Sequence, residues 1–136
     1  MNALREFRWP AAWLGIWAFG WLLCVVLSLV HPPQIGIEVP DGDKIGHFLA
    51  YGLLAAWAVW IFSAARSHRR AALALCALGV AMELAQGAFT SYRMMDPWDG
   101  VADAIGVLAG WALALRCSGL LQAFDRRLSA ARQPRS

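Results

Sequence analysis

Four apolar stretches partition the 136-residue chain, at about residues 11–30, 45–65, 71–89 and 98–115, the last with an apolar continuation to Leu121. A helix crosses the hydrocarbon core of a bilayer in about 20 residues, so each stretch is of spanning length. Composition agrees, with 60% hydrophobic and 15% charged residues against about half and a quarter in soluble domains. That much apolar surface also excludes a disordered chain. The expected fold class is an all-α membrane protein, a four-transmembrane-helix bundle forming one domain over residues 1–124. The basic stretch 125–136 reads as a tail, either a frayed surface helix or disordered. The first stretch is too long for a signal-peptide core, and Leu29-Val30-His31-Pro32-Pro33 offers no small-residue cleavage site, so it reads as an uncleaved span.

Charge placement sets the expected orientation. Arg5 and Arg8 precede the first span, and Arg66, Arg69 and Arg70 fill the second connection. Arg116, Arg126, Arg127, Arg132 and Arg135 follow the fourth, which puts ten of the twelve basic residues on one side. The other side has Lys44 and Arg93, with seven of the nine acids: Glu38, Asp41, Asp43, Glu83, Asp96, Asp99 and Asp103. By the positive-inside rule both termini belong in the cytoplasm and the two acidic connections outside. The net charge of +3 is thus topological, and nucleic acid is not an expected partner. Cys24, Cys76 and Cys117 lie in or at the end of apolar runs without a paired motif, and read as small buried hydrophobes. The eight tryptophans, Trp13, Trp17 and Trp21 at four-residue spacing among them, read as interfacial, lipid-facing aromatics. His31 and His68 fall in loops and take no role.

Ionisable groups at membrane depth cost on the order of 2.5–3.5 kcal/mol each and are retained mainly where they face a bundle interior and pair. Here they gather at one depth. Asp43-Lys44-x-x-His47 opens the second span with Tyr51 one turn on, and Glu83 and Gln86 share a face of the third. Arg93, Asp96 and Asp99 lead into the fourth, where Asp99, Asp103, Gly106 and Gly110 fall on one stripe at 100° per residue. The Gly-x-x-x-Gly half admits a close helix neighbour, and the other half aims two carboxylates at the outer mouth. The expected pocket holds His47, Tyr51, Glu83, Gln86, Arg93, Asp99 and Asp103, walled by spans two to four. Plainer roles exist for several members. Asp43 and Asp96 suit helix caps, Lys44 suits snorkelling, Gln86 suits a cross-helix bond, and Glu83 and Asp103 each suit a buried structural ion pair with Arg93 or His47.

These residues resemble the VanZ-like family of small bacterial membrane proteins. The resemblance rests on Asp43-Lys44-x-x-His47-Phe48-x-x-Tyr51, on Glu83-x-x-Gln86-x-x-Phe89, and on Arg93-x-x-Asp96-x-x-Asp99-x-x-x-Asp103-x-x-Gly106-x-x-x-Gly110, about half of the chain. The family usually has Asn where this chain has Asp103, so the pocket gains a titratable group. The resemblance implies a multi-pass protein of the bacterial cytoplasmic (inner) membrane. Because the family takes its name from a protein associated with teicoplanin resistance, it also implies work on an envelope lipid, a lipid-linked precursor or a lipophilic glycopeptide.

The residues leave the chemistry open between classes. An outer-leaflet enzyme would use His47 as general acid or base, with Glu83, Asp99 and Asp103 as further catalytic carboxylates. Lys44 and Arg93, with Tyr51, Gln86 and Asp96, would hold a phosphate-bearing lipid. A divalent cation is a candidate cofactor, with Asp99, Asp103, His47 and Glu83 as candidate ligands. A non-catalytic binder or accessory protein with a structural polar core needs no nucleophile, and no Ser or Cys motif is present. An ion-coupled carrier is disfavoured by small size and by the lack of charge deep in the inner half.

Overall fold

The computed structural model describes residues 3–30, 42–89 and 96–131. Five helices follow one another among them: α1 (Pro10–Leu29), α2 (Gly42–Ile61), α3 (Ala65–Phe89), α4 (Pro97–Arg116) and α5 (Leu120–Ala131). The first four are long and apolar enough to cross a membrane, and a helix satisfies its own backbone polar groups where no water can. The chain is an all-helical protein with the build of a membrane protein. Phe19, Leu22 and Leu27 of α1, Leu73 and Leu84 of α3, and Leu108 and Leu113 of α4 point outward, forming apolar faces suited to acyl chains.

Helix ends depart from the apolar runs where hydropathy and hydrogen bonding part company. α3 begins at Ala65, six residues before its apolar run, so Arg66, His68, Arg69 and Arg70 are helical. His68 is therefore no loop residue. It is buried, and its Nε2 donates to the Phe62 carbonyl at 2.9 Å, which caps the end of α2.

α2 and α4 make the most extensive helix contact, and glycine is the reason. A methyl added at Gly110 would overlap the Gly52 carbonyl oxygen, and one at Gly106 would overlap that of Phe48. The two backbones touch along the glycine stripe, as small residues permit between membrane helices. The opposite ends of the same two helices are thereby held in register.

α1 packs by its tryptophans, which corrects the expectation that they face lipid. Trp13 is buried against Phe7, Trp57 and Phe124, with ring centroids 6.1–6.4 Å apart. Trp17 and Trp21 pack on the Tyr51–Leu54–Leu75 core. The indole N–H of Trp17 donates to the Leu54 carbonyl at 3.0 Å. Four-residue spacing puts all three on one helix face, and the ring areas bury best against protein. Cys24 and Cys76 are half-buried, whereas Cys117 is exposed at the end of α4.

A second polar layer closes the end where α1 begins. The segment before α1 runs antiparallel to the end of α2, joined by Arg5 N–H to Ile61 O at 2.8 Å and Ser63 N–H to Ala3 O at 3.0 Å. Asp125 lies on ordered α5, not in a frayed tail. Its carboxylate accepts from the Arg8 N–H and the Trp13 indole, both at 2.7 Å. Residues 132–136 of the expected tail lie outside the described residues.

Candidate functional site

Three helix ends converge opposite that layer: the start of α2, the end of α3 and the start of α4. The glycine contact presses the first turns of α4 against those of α2, so Asp99 and Asp103 meet His47. The His47 Nδ1 lies 3.0 Å from Asp103 Oδ1, and its Nε2 lies 3.8 Å from Asp99 Oδ2. The first of these contacts is a hydrogen bond between the ring nitrogen and the carboxylate oxygen. Gly79 of α3 makes room for this arrangement, because a methyl there would stand 2.6 Å from Asp103 Oδ2.

Glu83 closes the cluster from α3. Its Oε2 accepts the Asp96 N–H at 3.0 Å, while Oε1 has no hydrogen-bond partner among the described residues. Glu83, Asp99 and Asp103 are only 6%, 4% and 1% exposed. Asp103 Oδ2 and the Tyr51 hydroxyl also lack hydrogen-bond partners among the described residues. Buried carboxylate oxygens are costly to leave unmet. The Tyr51 ring lies parallel to His47, centroids 6.4 Å apart.

Lys44 and Asp96 form the rim. Lys44 Nζ lies 3.1 Å from Asp96 Oδ2 and 3.8 Å from Asp99 Oδ1. Asp96 also caps α4, accepting the Trp98 N–H at 2.9 Å. That N–H and then Lys44 hold the Asp96 carboxyl below its ordinary range, against an opposing effect of burial. The cap reading of Asp96 is thus realised, and its ion pair with Lys44 is an addition to it. The Gln86 amide donates to the Ser28 carbonyl at 2.9 Å, tying α3 to α1. Asp43 is exposed in the first turn of α2. Arg93 lies outside the described residues.

The wall that the sequence reading missed belongs to α1. A cavity of about 490 Å³ runs between α1 and α2, lined by Gly20, Leu23, Cys24, Leu27 and Ser28 on one side and by Gly46, His47, Ala50, Tyr51 and Leu54 on the other. It is apolar along most of its length and reaches His47. Among the described residues the cavity is walled by α1 and α2, and of the expected pocket only His47 and Tyr51 line it, which corrects the expectation of one pocket walled by spans two to four. The sequence signal was present: Gly20-x-x-x-Cys24-x-x-x-Ser28 is a stripe of small residues on one face of α1. The arrangement offers an imidazole nitrogen, several buried carboxylate oxygens and an ammonium group beside an apolar groove. Comparison with known protein families, curated proteins and solved structures finds no match.

Proposed function

We propose that this chain is a VanZ-like protein of the bacterial inner membrane, with both termini in the cytoplasm. In this reading the cluster around His47 takes the polar headgroup of an envelope lipid or lipid-linked precursor from the outer leaflet. One observation carries the reading: the α1–α2 groove is lined by His47, the residue that also faces Asp99 and Asp103. A groove of this volume falls in the range of small-molecule sites, and an amphiphile fits both of its ends. Its chain would lie along Leu23, Leu27 and Leu54, and its head would sit at His47, Lys44 and Asp99. A lipophilic glycopeptide presents the same division between tail and head. The pairings of His47 with Asp103 and of Lys44 with Asp96 favour a second reading, a structural polar core in a non-catalytic binding or accessory protein.

Gly46→Leu tests the first reading. Gly46 lines the groove, and a Cβ there meets nothing within 4 Å, so a side chain at this position starts without a backbone clash and projects at the groove. Native mass spectrometry of the detergent-purified protein should show a retained phosphorylated amphiphile. Gly46→Leu should lose it while melting like wild type. Equal retention by both proteins, or none by either, contradicts the proposal.

A further inference from the structure

We propose that His47, Glu83 and Asp99 together hold a divalent cation of the Zn²⁺ or Mn²⁺ type, with Asp103 as the positioning residue for His47. One ligand atom from each of the three lies within 4.8 Å of the others, and each comes from a different helix. A shared ion at about 2.0–2.2 Å from every ligand draws them closer, a movement within the reach of side-chain rotation. The three supply one nitrogen and two carboxylate oxygens. Imidazole suits zinc and its neighbours, carboxylate suits manganese as well, and an all-oxygen shell would instead suit magnesium or calcium.

Two further observations point to an ion. Glu83 is 6% exposed and its Oε1 has no hydrogen-bond partner among the described residues, so an acceptor is buried with nothing to accept from. Asp103 contacts His47 at Nδ1 (3.0 Å), so Nε2 is the ring nitrogen turned towards Asp99 (3.8 Å). A carboxylate holding the far nitrogen of a histidine is the usual outer support of a metal ligand. Electrostatics adds a reason. Glu83, Asp99 and Asp103 crowd one buried site, and an anionic headgroup entering from the groove would meet them unfavourably. A divalent cation reverses that field, and three protein ligands leave a coordination position open for a phosphate oxygen. The inference rests on the reading of this pocket as a headgroup site, and its test separates the two.

Full-length protein in detergent is stripped with EDTA, then given ZnCl₂, MnCl₂ or MgCl₂ alone. Bound metal is counted by inductively coupled plasma mass spectrometry after desalting, and the thermal midpoint is followed in parallel. Wild type should keep one Zn²⁺ or Mn²⁺ per chain, with a raised midpoint, and should not keep Mg²⁺. Glu83→Gln and His47→Gln should lose both the metal and the shift, and Asp103→Asn should bind about 10–100-fold more weakly. Wild-type protein that retains no stoichiometric metal overturns the proposal whatever the variants do. Undiminished binding by Glu83→Gln and His47→Gln overturns it too. Lipid retention measured on the same samples keeps the readings apart. Lipid held by a metal-free wild type that refuses Zn²⁺ and Mn²⁺ sinks the cation site alone, and stoichiometric metal without lipid sinks the headgroup reading alone.

Discussion

Asp103 and Asp125 are each 1% exposed, yet their surroundings give them opposite characters. Asp103 spends one oxygen on His47 and leaves the other without a hydrogen bond among the described residues. Asp125 receives an N–H on each oxygen, from Trp13 and from Arg8. Burial alone would raise the Asp125 carboxyl, but it is outweighed by the N–H bonds from Arg8, Trp13 and Trp9 and by the Arg8 charge, so its pKa is lowered. A lowered folded-state pKa means stability that is present above the ordinary carboxyl range near 4 and lost as pH falls through the folded value. Asp125→Asn should therefore destabilise at pH 7, by roughly 1–3 kcal/mol for weakened charge-assisted bonds. The gap from wild type should narrow below about pH 4 in detergent melts. A gap that is absent, or constant with pH, would contradict this account of the lock. Asp103 was legible in the sequence because Asp99, one turn away, shares its face. Asp125 was not, since its partners lie 112 and 117 residues earlier in the chain and local spacing carries no trace of them.

At the scale of helices, the glycine stripe of α4 was readable because Gly-x-x-x-Gly leaves a gap that only a close neighbour fills. The partner surface, Gly52 and the Phe48 carbonyl of α2, was not, because a lone glycine does not announce what it touches. Gly106→Leu and Gly110→Leu should each weaken the bundle by overpacking, by about 1–3 kcal/mol or more. Exposed Leu108→Ile should change little. Thermal midpoints of the three purified variants decide it, and equal tolerance at all three positions would mean that the stripe does not carry the α2–α4 contact. The tryptophan face of α1 was misjudged for a physical reason. In a soluble helix hydropathy separates the buried face from the wet one, but in a span both faces are apolar. On α1 it is the row of tryptophans, rather than hydropathy, that marks the side packed on protein.

Across the whole molecule, polar chemistry concentrates at the two ends of an apolar bundle. Basic residues gather at the end closed by α5, and the acidic cluster lies at the other. That separation was legible from charge alone, since hydropathy and Lys/Arg counts are one-dimensional properties. The groove was legible only in part: Gly20, Cys24 and Ser28 mark its α1 face in the sequence, whereas its shape arises from how α1 packs on α2. The proposed orientation predicts that cysteines placed at Gln34 or Thr90, in a chain lacking Cys24, Cys76 and Cys117, react with a membrane-impermeant thiol reagent in intact cells. A cysteine at Ser67 should stay unlabelled, and the reverse pattern would invert the topology. The central claim, that the His47 cluster exists to act on a ligand rather than to hold helices together, is met most directly by pairing stability with phenotype. Glu83→Gln, His47→Gln and Asp99→Asn are purified in detergent and melted, while cells carrying each are profiled for envelope lipids and glycopeptide susceptibility. The account predicts variants that stay in the membrane and melt near wild type yet behave in cells like the null strain. If every variant that loses the phenotype also unfolds or disappears from the membrane, the cluster is a structural core and the claim fails.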